Sequence, residues 1–164
     1  MAKRAKAATA DATARYLQLD SDADILAAAE QILQRKLHQG EYLTDPASAG
    51  QMFRLRLAHL EREVFSVAFL STRHQVMAVQ DIFFGSLDGA EVSPREVVKA
   101  ALHHNAAAII CAHNHPSNNS EPSAADRAVT LRLKDALAIL EIRLLDHFVV
   151  SASGFTSLAA RGWV

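Results

Sequence analysis

An apolar stretch of strand length, Ala106 to Ala112, runs directly into His113-Asn114-His115-Pro116. A run of that kind, with Ile109 and Ile110 at its middle, reads as a central strand covered on both faces. Two imidazoles at i and i+2 on an extended chain point to the same side, so His113 and His115 can reach one ion. Ten residues separate His115 from Asp126, enough for a loop that returns the first turn of a helix over the strand end and offers a carboxylate. Two His and one Asp leave a coordination position open, the arrangement of a catalytic zinc centre, whereas a structural site is closed by four protein ligands. Iron in a facial triad has the same donor chemistry. Ser123-Ala124-Ala125-Asp126 is also a capping-box pattern, so on spacing alone a metal ligand and a helix cap stand side by side as readings of Asp126. Cys111 shares the strand face of His113, but a lone Cys in an apolar run is ordinarily packing. His38, His59, His74, His103 and His104 lie in no such pattern and read as surface or locally bonded residues.

The rest of the chain supports an α/β domain. Residues 1–19 are Ala-rich with four basic side chains and one acid, and read as a flexible tail. Residues 20–45 read as a helical extension: Ser21 to Asp24 precede Ile25, Ala29, Ile32 and Leu37 at helical spacing, with an end near Gly40. Residues 46–164 form the main domain. Asp45-Pro46 opens a helix as cap and first residue, running through Met52, Leu55 and Leu60, with Arg54, Arg56 and Arg62 read as solvated. Glu63 to Leu70 is a strand, and Gln75 to Phe84 completes a hairpin. Ser93-Pro94-Arg95-Glu96 starts a helix with the marks of a capping box, ending near Asn105. A helix from Ser123 through Leu140, a strand from Ile142 to Val150 and a short terminal segment at Gly154-Phe155-Thr156-Ser157 follow. Helices alternating with strands after an initial hairpin predict a mixed central sheet.

With 164 residues, half of them hydrophobic, the chain has material for one core of ordinary size. Seventeen basic against eighteen acidic residues argue against a surface devoted to nucleic acid. One cysteine makes no internal disulfide, no apolar run reaches membrane-spanning length, and the N-terminus lacks a secretory pattern, so a cytoplasmic location and no membrane partner are expected.

His113-x-His115-Pro116 followed by Ser123-x-x-Asp126, with Glu63 upstream, resembles the JAMM/MPN+ metallopeptidase signature, and most closely its bacterial RadC-like (UPF0758) branch. Arg62-Glu63-Val64-Phe65, Val92-Ser93-Pro94-Arg95-Glu96, Glu121-Pro122-Ser123 and Leu144-Leu145-Asp146-His147 extend the resemblance over about residues 50–164. The resemblance implies a three-layer α/β/α sandwich with a topology like that of cytidine deaminases. It implies one zinc per chain on His113, His115 and Asp126, Glu63 as general base and Ser123 as donor to the oxyanion. For Asp146 and His147 a supporting role in the final strand is expected. Asn118 stands where the family usually has Gly, which predicts a different loop tip. Longer members carry an N-terminal helix-hairpin-helix module, and the segment before this domain is short for one, so a short form is expected.

The leading functional reading is a zinc-dependent hydrolase cleaving a peptide or isopeptide amide bond of an unidentified substrate. A DNA-associated repair accessory or nuclease-like protein is the alternative, disfavoured by the near-neutral charge, and a non-catalytic scaffold is the third. A deaminase is disfavoured because no His-x-Glu with a later Pro-Cys-x-x-Cys is present. The amphipathic segment 21–38 can pack on its own domain or form a homodimer.

Overall fold

A computed structural model describes residues 21, 24, 25, 28, 29, 32, 42, 43, 45–85 and 92–164. The chain divides into two compact units, residues 1–35 and 36–164. In the first, Asp24, Ile25, Ala28, Ala29 and Ile32 are helical, and the Ser21 hydroxyl oxygen accepts from the Asp24 amide at 3.2 Å, as the expected cap should. The tail, residues 1–19, and the end of that helix near Gly40 lie outside the described residues.

In the second unit the described elements are α1 (Pro46–Leu57), β1 (Val64–Leu70), β2 (Val76–Phe84), α2 (Pro94–His103), β3 (Ala108–Asn114), α3 (Ala124–Ala138), β4 (Arg143–Ser151) and β5 (Gly154–Ser157). One five-stranded sheet has the order β2-β1-β3-β4-β5. Only β3 and β4 are parallel, and α3 is the crossover between them, as a parallel pair requires. The fold is therefore the α/β domain with a mixed sheet that the pattern predicts, consistent with the sandwich that the resemblance implies.

Both sheet faces are covered. Ala108, Ile110 and Ala112 of β3 join Val64, Ala68 and Leu70 of β1 and Met52, Phe53 and Leu57 of α1 in one apolar cluster. Ile109 and Cys111 join Phe65, Val67 and Phe69, together with Val97 of α2 and Leu133 and Leu137 of α3, in the other. This explains why every residue of β1 and β3 is buried: central strands between helical layers lose the alternation of a half-exposed strand.

Several element ends depart from the sequence expectation. Strand β3 begins two residues later than Ala106 and includes His113 and Asn114, because its antiparallel partner continues to Phe65 opposite His113. Glu63 precedes the regular strand and does not open it. Helix α1 stops at Leu57, so Leu60 packs from the connecting loop. Ser93 caps α2 through its backbone conformation alone, without a side-chain hydrogen bond, and Glu96 pairs with Lys99 at 3.4 Å, so no capping box forms. That helix ends at His103, before Asn105 with its positive φ of 50°. Gly154 to Ser157 is an edge strand. Arg54 and Arg56 are not merely solvated. Arg54 donates to the carbonyls of Ser151 and Ala152 at the β4–β5 turn, and Arg56 makes a two-pronged pair with Asp81 of β2. Arg62 lies over the Phe84 ring at 4.5 Å. Among the described residues no helix is long and apolar enough to cross a membrane.

Candidate metal centre

The carboxyl end of β3, the loop after it and the first turn of α3 bring three donor side chains together. One ligand atom each from His113, His115 and Asp126 lies within 4.8 Å of the others, a group that can hold a metal ion. The Nε2 atoms of the two imidazoles are 3.0 Å apart. Asp126 Oδ1 is 3.1 Å from Nε2 of His113, and Oδ2 is 3.6 Å from Nε2 of His115. His113 is buried and the other two are partly covered, and all three line a cleft of about 380 Å³ together with Glu63, Phe65 and Ser123.

The other ring nitrogens are occupied. Nδ1 of His115 lies 2.9 Å from the carbonyl of Asn119; a carbonyl only accepts, so that nitrogen carries a proton and donates it. Nδ1 of His113 faces Nε2 of the fully buried His147 at 2.9 Å. The centre is thus two imidazole nitrogens and a carboxylate converging on one point, a donor set of the kind that can hold a metal ion. Burial alone would raise the Asp126 carboxyl, but His113 and the donors of Ser123 hold it well below the usual carboxylate range. His147 is pushed far down by burial, aided by His113, and is neutral at physiological pH.

Ser123 forms the capping box and lines the cleft at once. Its hydroxyl donates to Asp126 Oδ2 at 2.7 Å, its oxygen accepts from the Asp126 amide at 3.1 Å, and its own amide donates to the same Oδ2 at 2.7 Å. The cap and the donor role of Asp126 are therefore compatible: Oδ2 serves the helix end while Oδ1 faces His113. Glu63 stands on the cleft wall outside the three-residue donor group, and no hydrogen bond to its carboxylate is found among the described residues. Cys111 is buried in the apolar cluster and is not part of the donor group.

Pattern reading assigned no role to Asn114, which sits between the two histidines. Alternation turns it to the opposite face, where it is almost wholly buried. Its Oδ1 accepts from the Val64 amide at 2.8 Å, and its amide nitrogen donates to the carbonyls of Leu60 and Arg62 at 3.2 and 3.0 Å. One side chain thereby fixes the backbone on both sides of Glu63. The loop after His115 is fastened as well. The His115 amide donates to Val150, Glu121 pairs with both guanidinium nitrogens of Arg161, and Asn118 accepts from the Ser153 amide at 2.9 Å. Asn118 has φ 61°, the left-handed conformation that Gly takes freely and Asn tolerates best among the others. Asparagine here is suited to a backbone conformation in which glycine is also at ease. Asp146 accepts from the amides of His147 and Ala159 and from the Ser157 hydroxyl, tying β4 to the C-terminal turn.

Fold and centre together define an α/β domain of the JAB/MPN type, with a His-His-Asp group at the carboxyl end of a central strand. Residues 43–163 match the RadC-like JAB domain family, and the chain belongs to that family. It is 54% identical over 132 residues to a UPF0758 protein of Xanthomonas oryzae pv. oryzae, covering 80% of this chain and 59% of that one. A UPF0758 protein of Xanthomonas campestris pv. campestris is 55% identical over 128 residues, 78% of this chain and 57% of its own. One from Vibrio parahaemolyticus is 47% identical over 151 residues, 92% and 66% respectively. The chain spans about three fifths of the length of the first of these relatives.

Proposed function

We propose that this domain is a zinc-dependent hydrolase that cleaves amide bonds, peptide or isopeptide, with one zinc per chain. The observation that supports this reading is the donor set itself: two Nε2 atoms and a carboxylate within 4.8 Å of one another, with a second carboxylate, Glu63, on the wall of the same cleft. Three N/O ligands with a coordination position left open suit catalytic zinc, and the sulfur of Cys111 takes no part. Zinc held there supplies Lewis acidity, which makes water a competent nucleophile near neutral pH and polarises an amide carbonyl. Glu63 takes a proton from the attacking water and passes it to the leaving amine. Ser123, released from Asp126 Oδ2, turns its hydroxyl proton to the oxygen on which negative charge develops. Phe65 lines the same cleft, its ring stacked on His113 with centroids 6.3 Å apart.

The test is zinc content and hydrolysis of a peptide found by library screening, for wild type, Glu63→Gln and Glu61→Gln. Glu63→Gln is expected to keep zinc and fold while losing roughly 10²- to 10⁴-fold in rate, the usual worth of a general base. Glu61→Gln is expected to be near neutral. Wild-type protein that takes up no zinc, or equal rates for wild type and Glu63→Gln, would sink the reading.

A further inference from the structure

We propose that His147 is a positioning residue of the metal centre, which together with Thr130 holds His113 in the tautomer that turns a bare Nε2 toward the ion. This rests on the metal reading above and extends it to two residues that touch neither ion nor substrate.

The assignment follows from counting protons along one buried chain. Thr130 Oγ1 lies 2.6 Å from the backbone carbonyl of Asp126 and 2.6 Å from Nδ1 of His147. A hydroxyl has one proton, and the carbonyl can only accept it. Nδ1 of His147 must then be the donor to Thr130, which leaves Nε2 of a neutral His147 as an acceptor. The atom facing it at 2.9 Å is Nδ1 of His113, so that nitrogen carries the proton and the opposite nitrogen, Nε2, is free for a cation. Every proton in the chain is set by a single peptide carbonyl. That carbonyl belongs to Asp126, whose carboxylate meets His113 Nε2 from the other side, so the chain joins two members of the donor group through protein alone.

Packing does not account for these residues. Thr130 and His147 are both 0% exposed, with the Phe65 ring edge-on to His147 at 5.4 Å. A Val and a Phe would fill that space without the desolvation cost of three buried polar atoms. An imidazole that ligates a metal needs its second nitrogen held by an acceptor, and loss of such a partner typically weakens metal binding by about 10- to 100-fold. His147 is the acceptor, and Thr130 sets which of its nitrogens accepts.

The experiment measures zinc dissociation constants by chelator competition for wild type, His147→Phe, His147→Gln, Thr130→Val and Thr130→Ser, with far-UV circular dichroism for folding. Long-range ¹H–¹⁵N spectra of the imidazoles of zinc-loaded wild type run alongside. The expected spectrum shows His113 protonated at Nδ1. Zinc binding is expected to weaken about 10- to 100-fold in His147→Phe and clearly in Thr130→Val. It is expected to recover largely in His147→Gln, whose amide both accepts and donates, and in Thr130→Ser. Wild type that binds zinc while a folded His147→Phe binds equally well overturns this proposal alone. So does a His113 proton on Nε2 in the wild-type spectrum, a measurement that needs no variant to fold. Wild type that takes up no zinc overturns the metal reading and this proposal with it.

Discussion

Replacing Asn114 with alanine tests whether the residue between the two histidines clamps the segment that carries Glu63. The side chain is 1% exposed and satisfies three backbone groups. Its loss strands the buried Val64 amide, at a cost of about 1–3 kcal/mol for an unsatisfied buried donor. The Leu60 and Arg62 carbonyls are only part-buried and can recover water, so each contributes about 0.5–1.5 kcal/mol, the net value of an ordinary hydrogen bond. A destabilisation of about 2–6 kcal/mol is expected, a large share of the usual 5–15 kcal/mol of a domain. Urea unfolding of metal-free protein, followed by circular dichroism with and without the substitution, reads this directly, because excess chelator removes the contribution of bound metal. With zinc restored, metal stoichiometry is expected to be unchanged, since Asn114 faces away from the donors. A loss under about 1 kcal/mol would show that these bonds are readily replaced by solvent, and would refute the clamp.

Three further outcomes are expected. Gly50→Ala in α1 places a methyl within 3 Å of three Phe155 ring atoms, so the variant is expected to be less stable in urea although alanine favours helix by about 1 kcal/mol; a gain in stability would show that Phe155 moves aside freely. The Cys111 thiol is pushed far above its ordinary range by burial and by Asp146, so mass spectrometry is expected to find it unmodified by iodoacetamide in native protein and modified in urea. His147 is held below its ordinary imidazole range by burial, so the unfolded chain takes up a proton near pH 6.5 that the native state refuses. Its contribution is complete above that pH and is lost as pH falls, with a limiting slope of about 1.4 kcal/mol per unit. Unfolding of metal-free His147→Gln is expected to show a shallower acid limb than wild type, and parallel limbs would contradict this.

The donor group was legible because its spacing is local: His113 and His115 share a strand face, and Asp126 opens the next helix. Glu63 was not selectable from Glu61 by pattern, since its place depends on a partner strand 50 residues away, and only the resemblance singled it out. The supports were harder still. Thr130 is four residues from Asp126 on the same helix face, a visible hint, but its meeting with His147 depends on the crossover that lays α3 over β4. Element ends slipped by one to three residues because pairing, not local propensity, decides where β3 stops. The roles of Arg54 and Arg56 were hidden for a similar reason, as their acceptors lie on the β4–β5 turn and on β2.

Adjacent residues of β3 serve opposite faces, His113 toward the cleft and Asn114 toward α1, with Phe65 of β1 directly across from His113. A slip of one residue between these strands would carry the imidazole into the apolar cluster and the amide into the cleft, so a mispaired sheet loses its donor group and its clamp together. Zinc bound as proposed above would therefore be acquired only once the central pairing is right, and would then make unpairing more costly. On that proposal, the rate of zinc capture after dilution from urea is expected to follow the formation of the β1–β3 pair and not the earlier collapse.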